Sequence, residues 1–174
     1  MAQAAYRMTR YADDFVIQCR SRAEAEAALA QVGAWMTEAG LTLHPDKTRI
    51  VDATQEGGFE FLGWHFEGGH QWPRAKSQAK LKETIRQHTP RNNGKSLSEI
   101  VSRLNRSLKG WRACFDHGRR YVYENLDKMV RRRLRQILLK RRGKRGKPNG
   151  LINRKWPTAY FDKLGLWRLT GAPG

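Results

Sequence analysis

Arg7–Cys19 reads RMTRYADDFVIQC, and the reading of this stretch decides the first half of the chain. Strand-forming residues flank a bend at Tyr11-Ala12-Asp13-Asp14, so the pattern is strand, turn, strand. Phe15, Val16, Ile17 and Cys19 suit a largely buried second strand. Aspartate is a common turn former, and for an isolated Asp-Asp pair that role would account for both carboxylates. Two at one point also make a hard-oxygen site of the kind that holds Mg²⁺. Pairs of such ions, clamped by carboxylates, serve phosphoryl transfer by bracing the attacking and leaving oxygens. A small residue, Ala12, at the bend leaves room for a substrate backbone.

Working outward, Ser21-Arg22-Ala23-Glu24 is a capping box opening a helix with apolar positions at Ala25, Ala28, Leu29, Val32, Trp35 and Met36. Gly40 is placed to end it. LTLHPDKTRIVD, from Leu41, is expected to form two short strands bent at Pro45, and FEFLGWHFEGGHQW, from Phe59, a hairpin turned by Gly68 and Gly69. From Ser96 the period changes. A second capping box, Ser96 to Glu99, precedes Leu97, Ile100, Val101, Leu104, Leu108, Trp111 and Phe115 at helical spacing. A further helix is expected from about Arg120 to Arg142, striped by Val122, Leu126, Met129, Val130, Leu134, Ile137 and Leu138. GKRGKPNG then reads as a flexible basic loop, and RKWPTAYFDKLGLWRL as an aromatic tail packing back on the helices. The fold class is α+β, an antiparallel module with one helix over residues 1–75 followed by an all-α bundle over 76–174.

Charge divides at the same place. Over the 174 residues the formal net charge is +18, but residues 1–75 hold seven basic and ten acidic residues, a net of −3. The remainder carries a net of +21. An excess that large is the footprint of a polyanion, most often nucleic acid. An anionic membrane surface is the rival, without a lipidation signal or long apolar run to support it. Cys19 and Cys114 stand far apart in apolar patterns, which argues against a disulfide framework or a cysteine zinc site. The MAQAAY start has no apolar core segment, so the expectation is a reduced, cytoplasmic protein without a membrane role.

RYADDF resembles the catalytic hairpin of reverse transcriptases, in the spelling typical of group II intron-encoded enzymes. Three more segments agree in order: LTLHPDKT with the next palm motif, FEFLGWHF with the primer-grip segment, and LNRSLKGWRACF, Leu104 to Phe115, with the thumb or maturase region. The resemblance implies a partial reverse-transcriptase palm followed by a helical thumb. It makes Asp13 a ligand of catalytic Mg²⁺, Asp14 its support, and Lys47 a positioning charge or proton donor for departing pyrophosphate. Phe61, Leu62 and Gly63 would hold the primer end. Arg103, Arg106, Lys109, Arg112, Arg119 and Arg120 would face RNA from the thumb. The cluster Arg131, Arg132, Arg135, Lys140, Arg141, Arg142, Lys144 and Arg145 would do the same, since so many like charges repel one another without a polyanion.

In the family, fingers, nucleotide-binding strand and a third metal-binding aspartate precede this hairpin, whereas ten residues precede Tyr11 here. The expectation is therefore weak Mg²⁺ binding by the chain alone. A homo-oligomer, or a partner chain carrying the fingers and upstream palm, would complete it. Three functions follow: an RNA-binding half that assists folding or splicing of an intron-like RNA; an RNA-directed DNA polymerase on RNA/DNA hybrid, active once completed in trans; and an assembly or regulatory protein that reuses the palm remnant for a protein partner. A metallohydrolase built on His65 and His70 is a distant alternative, lacking ligand spacing.

Overall fold

A computed structural model describes residues 6–92, 94–144, 146 and 148–171. It divides into two compact units, the first of residues 1–61 with 66–69, the second of residues 62–65 with 70–174.

In the first unit, strands β1 (Arg7–Tyr11) and β2 (Asp14–Gln18) pair antiparallel with Tyr11 opposite Asp14, so Ala12 and Asp13 alone make the turn. Ala12 sits at φ +53°, a left-handed conformation uncommon outside glycine. The Arg10 guanidinium braces it by donating to the Ala12 carbonyl at 2.7 Å. Phe15, Val16 and Ile17 are half-buried, less than their composition suggested, in a two-stranded ribbon whose β2 packs on helix α1 (Arg22–Glu38).

That helix begins as expected, with the Ser21 hydroxyl accepting from the Glu24 N–H at 3.2 Å. The Glu24 carboxylate answers by accepting from the Arg20 N–H at 2.6 Å. Gly40, at φ +69°, closes the other end, where the Gly40 and Leu41 N–H groups donate back to the Thr37 and Met36 carbonyls. The LTLHPDKTRIVD segment forms no strand. Pro45 supplies no N–H, and the Lys47 and Thr48 N–H groups turn back onto the His44 carbonyl, which curls the segment into a turn.

Strands β3 (Phe59–Phe61), β4 (Trp64–Glu67) and β5 (His70–Pro73) form a sheet in that order. Gly68 and Gly69 turn β4 into β5 as anticipated. An additional turn at Leu62–Gly63 separates β3 from β4, so the expected single hairpin is a three-stranded meander. Both turn residues have positive φ, +47° at Leu62 and +86° at Gly63, the pattern of a tight two-residue hairpin loop.

The second unit is built on helices α2 (Ala75–His88), α3 (Leu97–Cys114), α4 (Arg120–Arg141), α5 (Gly150–Lys155) and α6 (Thr158–Lys163). α2 has no counterpart in the sequence reading; its only buried residues are Leu81 and Ile85, too sparse a pattern to stand out. The stripes of α3 and α4 meet at Leu104, Leu108, Leu126, Leu134 and Ile137, each no more than 1% exposed. The aromatic tail does fold back, with Phe161, Leu166 and Leu169 sealing the core. Its last turn is stapled to both long helices. The Asn105 amide donates to the Gly165 carbonyl and accepts from the Trp167 N–H, and the buried Asp127 carboxylate accepts from the Leu169 N–H at 3.0 Å and the Thr170 hydroxyl at 3.0 Å.

Candidate functional site

Two surfaces bear the chemistry, one in each unit. At the hairpin tip of the first, Asp13 and Asp14 are both exposed beside Tyr11. Their hard-oxygen chemistry suits Mg²⁺, but they are two ligands. Among the described residues no group of three or more His, Cys, Asp or Glu side chains is gathered for a metal ion, and this includes His65 and His70. The donor set therefore fits Mg²⁺ in kind and falls short of a complete reaction centre in number. Lys47 lies exposed on the turn closed by the His44 carbonyl.

Gly63, in the FEFLGWHF segment, is tightly placed in the second unit. Its carbonyl accepts from the Arg74 N–H at 2.9 Å and the Ser77 hydroxyl at 3.1 Å. A Cβ there would come within 3.3 Å of the Phe115 ring and the Ser77 oxygen. Leu62 beside it is exposed in a left-handed conformation, and Phe61 is half-buried. A leucine held out at positive φ is strained, a condition that concentrates at working positions.

The second surface is the basic exterior of α3 and α4, where the structure sorts residues that the sequence counts alike. Arg106, Lys109, Arg132, Lys140 and Lys144 are exposed, and among the described residues their side chains make no hydrogen bond or ion pair. Arg103 pairs with Glu99 at 3.0 Å and Arg120 with Glu124 at 3.1 Å, both in the open. Such pairs contribute little to stability and release readily to a phosphate. Arg119 lies over the Trp72 ring at 4.8 Å and Arg142 over Trp156 at 5.1 Å. Arg141 donates to the Lys95 carbonyl. Arg145 lies outside the described residues.

Two of the expected contacts belong instead to the scaffold. Arg135 is buried, donating to the Trp156 carbonyl at 2.9 Å and resting over Phe161. Arg112 reaches the Leu169 and Phe115 carbonyls and lies over the Tyr123 ring. Arg131 is half-buried, and burial pulls its pKa below the usual arginine value, with Asp127 acting in the opposite sense. Burial likewise lowers Arg133, which the sequence reading passed over. Arg133 ties α4 to the end of α2 through the Thr89 hydroxyl at 2.6 Å and the Thr89 carbonyl at 2.8 Å. Its signal was available: position 133 lies on the helical line from Val130 to Ile137 that faces inward. The field of this face is also felt by His88, whose pKa falls below the ordinary histidine value through burial, then through Arg103 and Arg106.

No helix among the described residues is long and apolar enough to cross a membrane. No curated protein is a significant match to the chain. Residues 2–66 match the family described as reverse transcriptase (RNA-dependent DNA polymerase). Residues 78–156 match the group II intron, maturase-specific domain. The first match contains the Asp13–Asp14 hairpin and the second contains α3, α4 and their arginines. Taken together, the two matches support reading the chain as the palm-end and maturase region of a group II intron reverse transcriptase/maturase.

Proposed function

We propose that the chain binds structured, intron-like RNA through the basic exterior of its second unit and in doing so assists folding and splicing of that RNA. The observation that carries this reading is the set of exposed, internally unpaired cations on α3 and α4, displayed by a buried core that fixes their helices. Rigid helices with free cations recognise phosphates and shape rather than base sequence, which is how folded RNA is bound. The reading carries with it a cytoplasmic protein. It is tested by fluorescence anisotropy with a labelled group II intron RNA over a KCl series. The expected result is affinity that falls steeply and linearly on logarithmic axes, and a flat dependence would overturn it.

A second reading is favoured by the exposed carboxylate pair on its braced turn: part of an RNA-directed DNA polymerase acting on RNA/DNA hybrid. Asp13 and Asp14 would then hold Mg²⁺, which supplies charge stabilisation at the transferring phosphoryl group. No third carboxylate is gathered with them among the described residues, so in this reading the rest of the centre, with fingers and upstream palm, is supplied from outside these residues, as by a partner chain or a second copy. The exposed apolar residues Met8, Tyr11, Trp35 and Leu41 give such a partner a surface. Primer extension on an RNA template decides it. Activity that appears with a supplied fingers and upstream-palm polypeptide and disappears in Asp13→Asn supports a working centre. RNA binding without extension under those conditions leaves the binding function alone.

A further inference from the structure

A groove of about 320 Å³ runs along α3 beside the Leu164–Gly165 turn, entirely within the second unit. We infer that it is a seat for the phosphodiester backbone of RNA, with Arg106 and Lys109 supplying charge and the Ser98 and Ser102 hydroxyls supplying hydrogen bonds. The inference rests on the RNA-binding reading above and names where on that surface the strand lies.

The lining is specific in what it contains and omits. Ser98, Ser102, Arg106 and Lys109 fall on one face of α3, opposite the face that buries Ile100, Leu104 and Leu108. No carboxylate and no aromatic ring lines the groove. A base-reading pocket would present stacking surfaces, whereas hydroxyls and cations without them suit phosphate oxygens. From Ser98 to Lys109 the helix rises about 16 Å, several times the ~3.4 Å rise per nucleotide of one strand, so the seat is a track rather than a single-anion site.

Its far wall is held rigid. The Asn105 amide donates to the Gly165 carbonyl at 2.7 Å and accepts from the Trp167 N–H at 2.9 Å, pinning the turn against α3 from both sides. Arg112 holds the same strap further on, at the Leu169 carbonyl. Asn105 is thus a positioning residue, and the wall is set before any ligand arrives, which lowers the ordering cost of binding.

The experiment measures anisotropy of a fluorescein-labelled RNA hairpin against KCl for the full chain and four variants. Arg106→Gln with Lys109→Gln is expected to flatten the logarithmic salt slope by about 1.8, two phosphate contacts at ~0.9 each. Ser102→Glu, one added charge inside the groove, is expected to weaken binding about tenfold, a loss of ~1.4 kcal/mol. Asn125→Glu, the same charge on the exposed exterior of α4, is expected to weaken it far less. Asn105→Ala is expected to retain the slope while lowering affinity and speeding hydrogen exchange at the Trp167 amide. All five positions lie outside the buried core, and unchanged thermal melts of the first three variants verify the fold. Salt-dependent binding by the parent with an unchanged slope in the double variant overturns the groove and leaves the RNA-binding reading standing. Equal weakening by Ser102→Glu and Asn125→Glu does the same. Salt-independent binding by the parent overturns both, and displacement of the hairpin by polyglutamate as readily as by unlabelled RNA reassigns the groove to an acidic polypeptide.

Discussion

The two units of this chain solve the stability problem in opposite ways. The second buries side chains from four elements in one core, with Phe161, Ile85, Leu104 and Leu134 at 0% exposure. In the first, Ala28 is the only fully buried hydrophobic residue among those described, while Met8, Tyr11, Trp35 and Leu41 are each more than half exposed. Ordering a chain costs about 1–2 kcal/mol per residue, and one buried alanine offsets little of it. The first unit relies on local devices instead: a braced turn, a capped helix start and a glycine-closed helix end. A core makes a unit self-sufficient, whereas local devices set geometry and leave an apolar surface open.

Measurements that break or sharpen this contrast differ in size. The largest effect is expected from Leu134→Ala, which opens a cavity and should lower stability by about 2–5 kcal/mol in denaturant titration. Trp35→Ala, a larger truncation in the first unit, should change it by no more than about 0.5 kcal/mol. A loss at Trp35 comparable to that at Leu134 would mean the indole is covered in solution, and sedimentation analysis would then identify a self-associated species. Next is Gly63→Ala. Positive φ and the 3.3 Å approach of Phe115 and Ser77 act together, for an expected cost of about 1–2 kcal/mol.

The smallest effect concerns acid titration in the first unit. The Thr54 hydroxyl and N–H both donate to the Asp52 carboxylate, holding its pKa below the ordinary 3.8. A depressed folded-state value contributes stability above the unfolded pKa and loses it as pH falls through the folded one. The contribution therefore disappears only in acid, below about 3.8. Carbon-detected NMR titration should show Asp52 returning toward its ordinary value in Thr54→Ala.

What could be read from sequence follows from which signals are local. The YADD turn, the Ser21 cap and the stripes of α3 and α4 each lie within a few residues, and each appears in the fold. α2 escaped because Leu81 and Ile85 alone mark its inner face, and a pair four residues apart is no pattern. The strands expected around Pro45 failed for the opposite reason: β-prone residues were present, but the His44 carbonyl captured the following N–H groups into a turn. On the basic surface the limit is sharper. Arg106, Arg112 and Arg135 are one residue type on adjacent helices, and only the position of the Leu169 and Trp156 carbonyls separates the exposed one from the two turned inward. The groove depends on Asn105 reaching a turn sixty residues away, a pairing with no local trace.

The arginines that donate to main-chain carbonyls have a consequence for how such a chain tolerates drift. Arg91, Arg112, Arg133, Arg135 and Arg141 each donate to main-chain carbonyls far along the sequence or at a helix end. A lysine at any of these places preserves the isoelectric point near 10.7 and every property computed from charge. It does not preserve the planar fork that lets one side chain bond two acceptors, as Arg112 and Arg133 do. Exchanges that look conservative on a composition table would loosen the closures between α2, α4 and the tail while leaving attraction to a polyanion intact. The protein would remain sticky toward nucleic acid long after it had lost the shape that makes the binding selective.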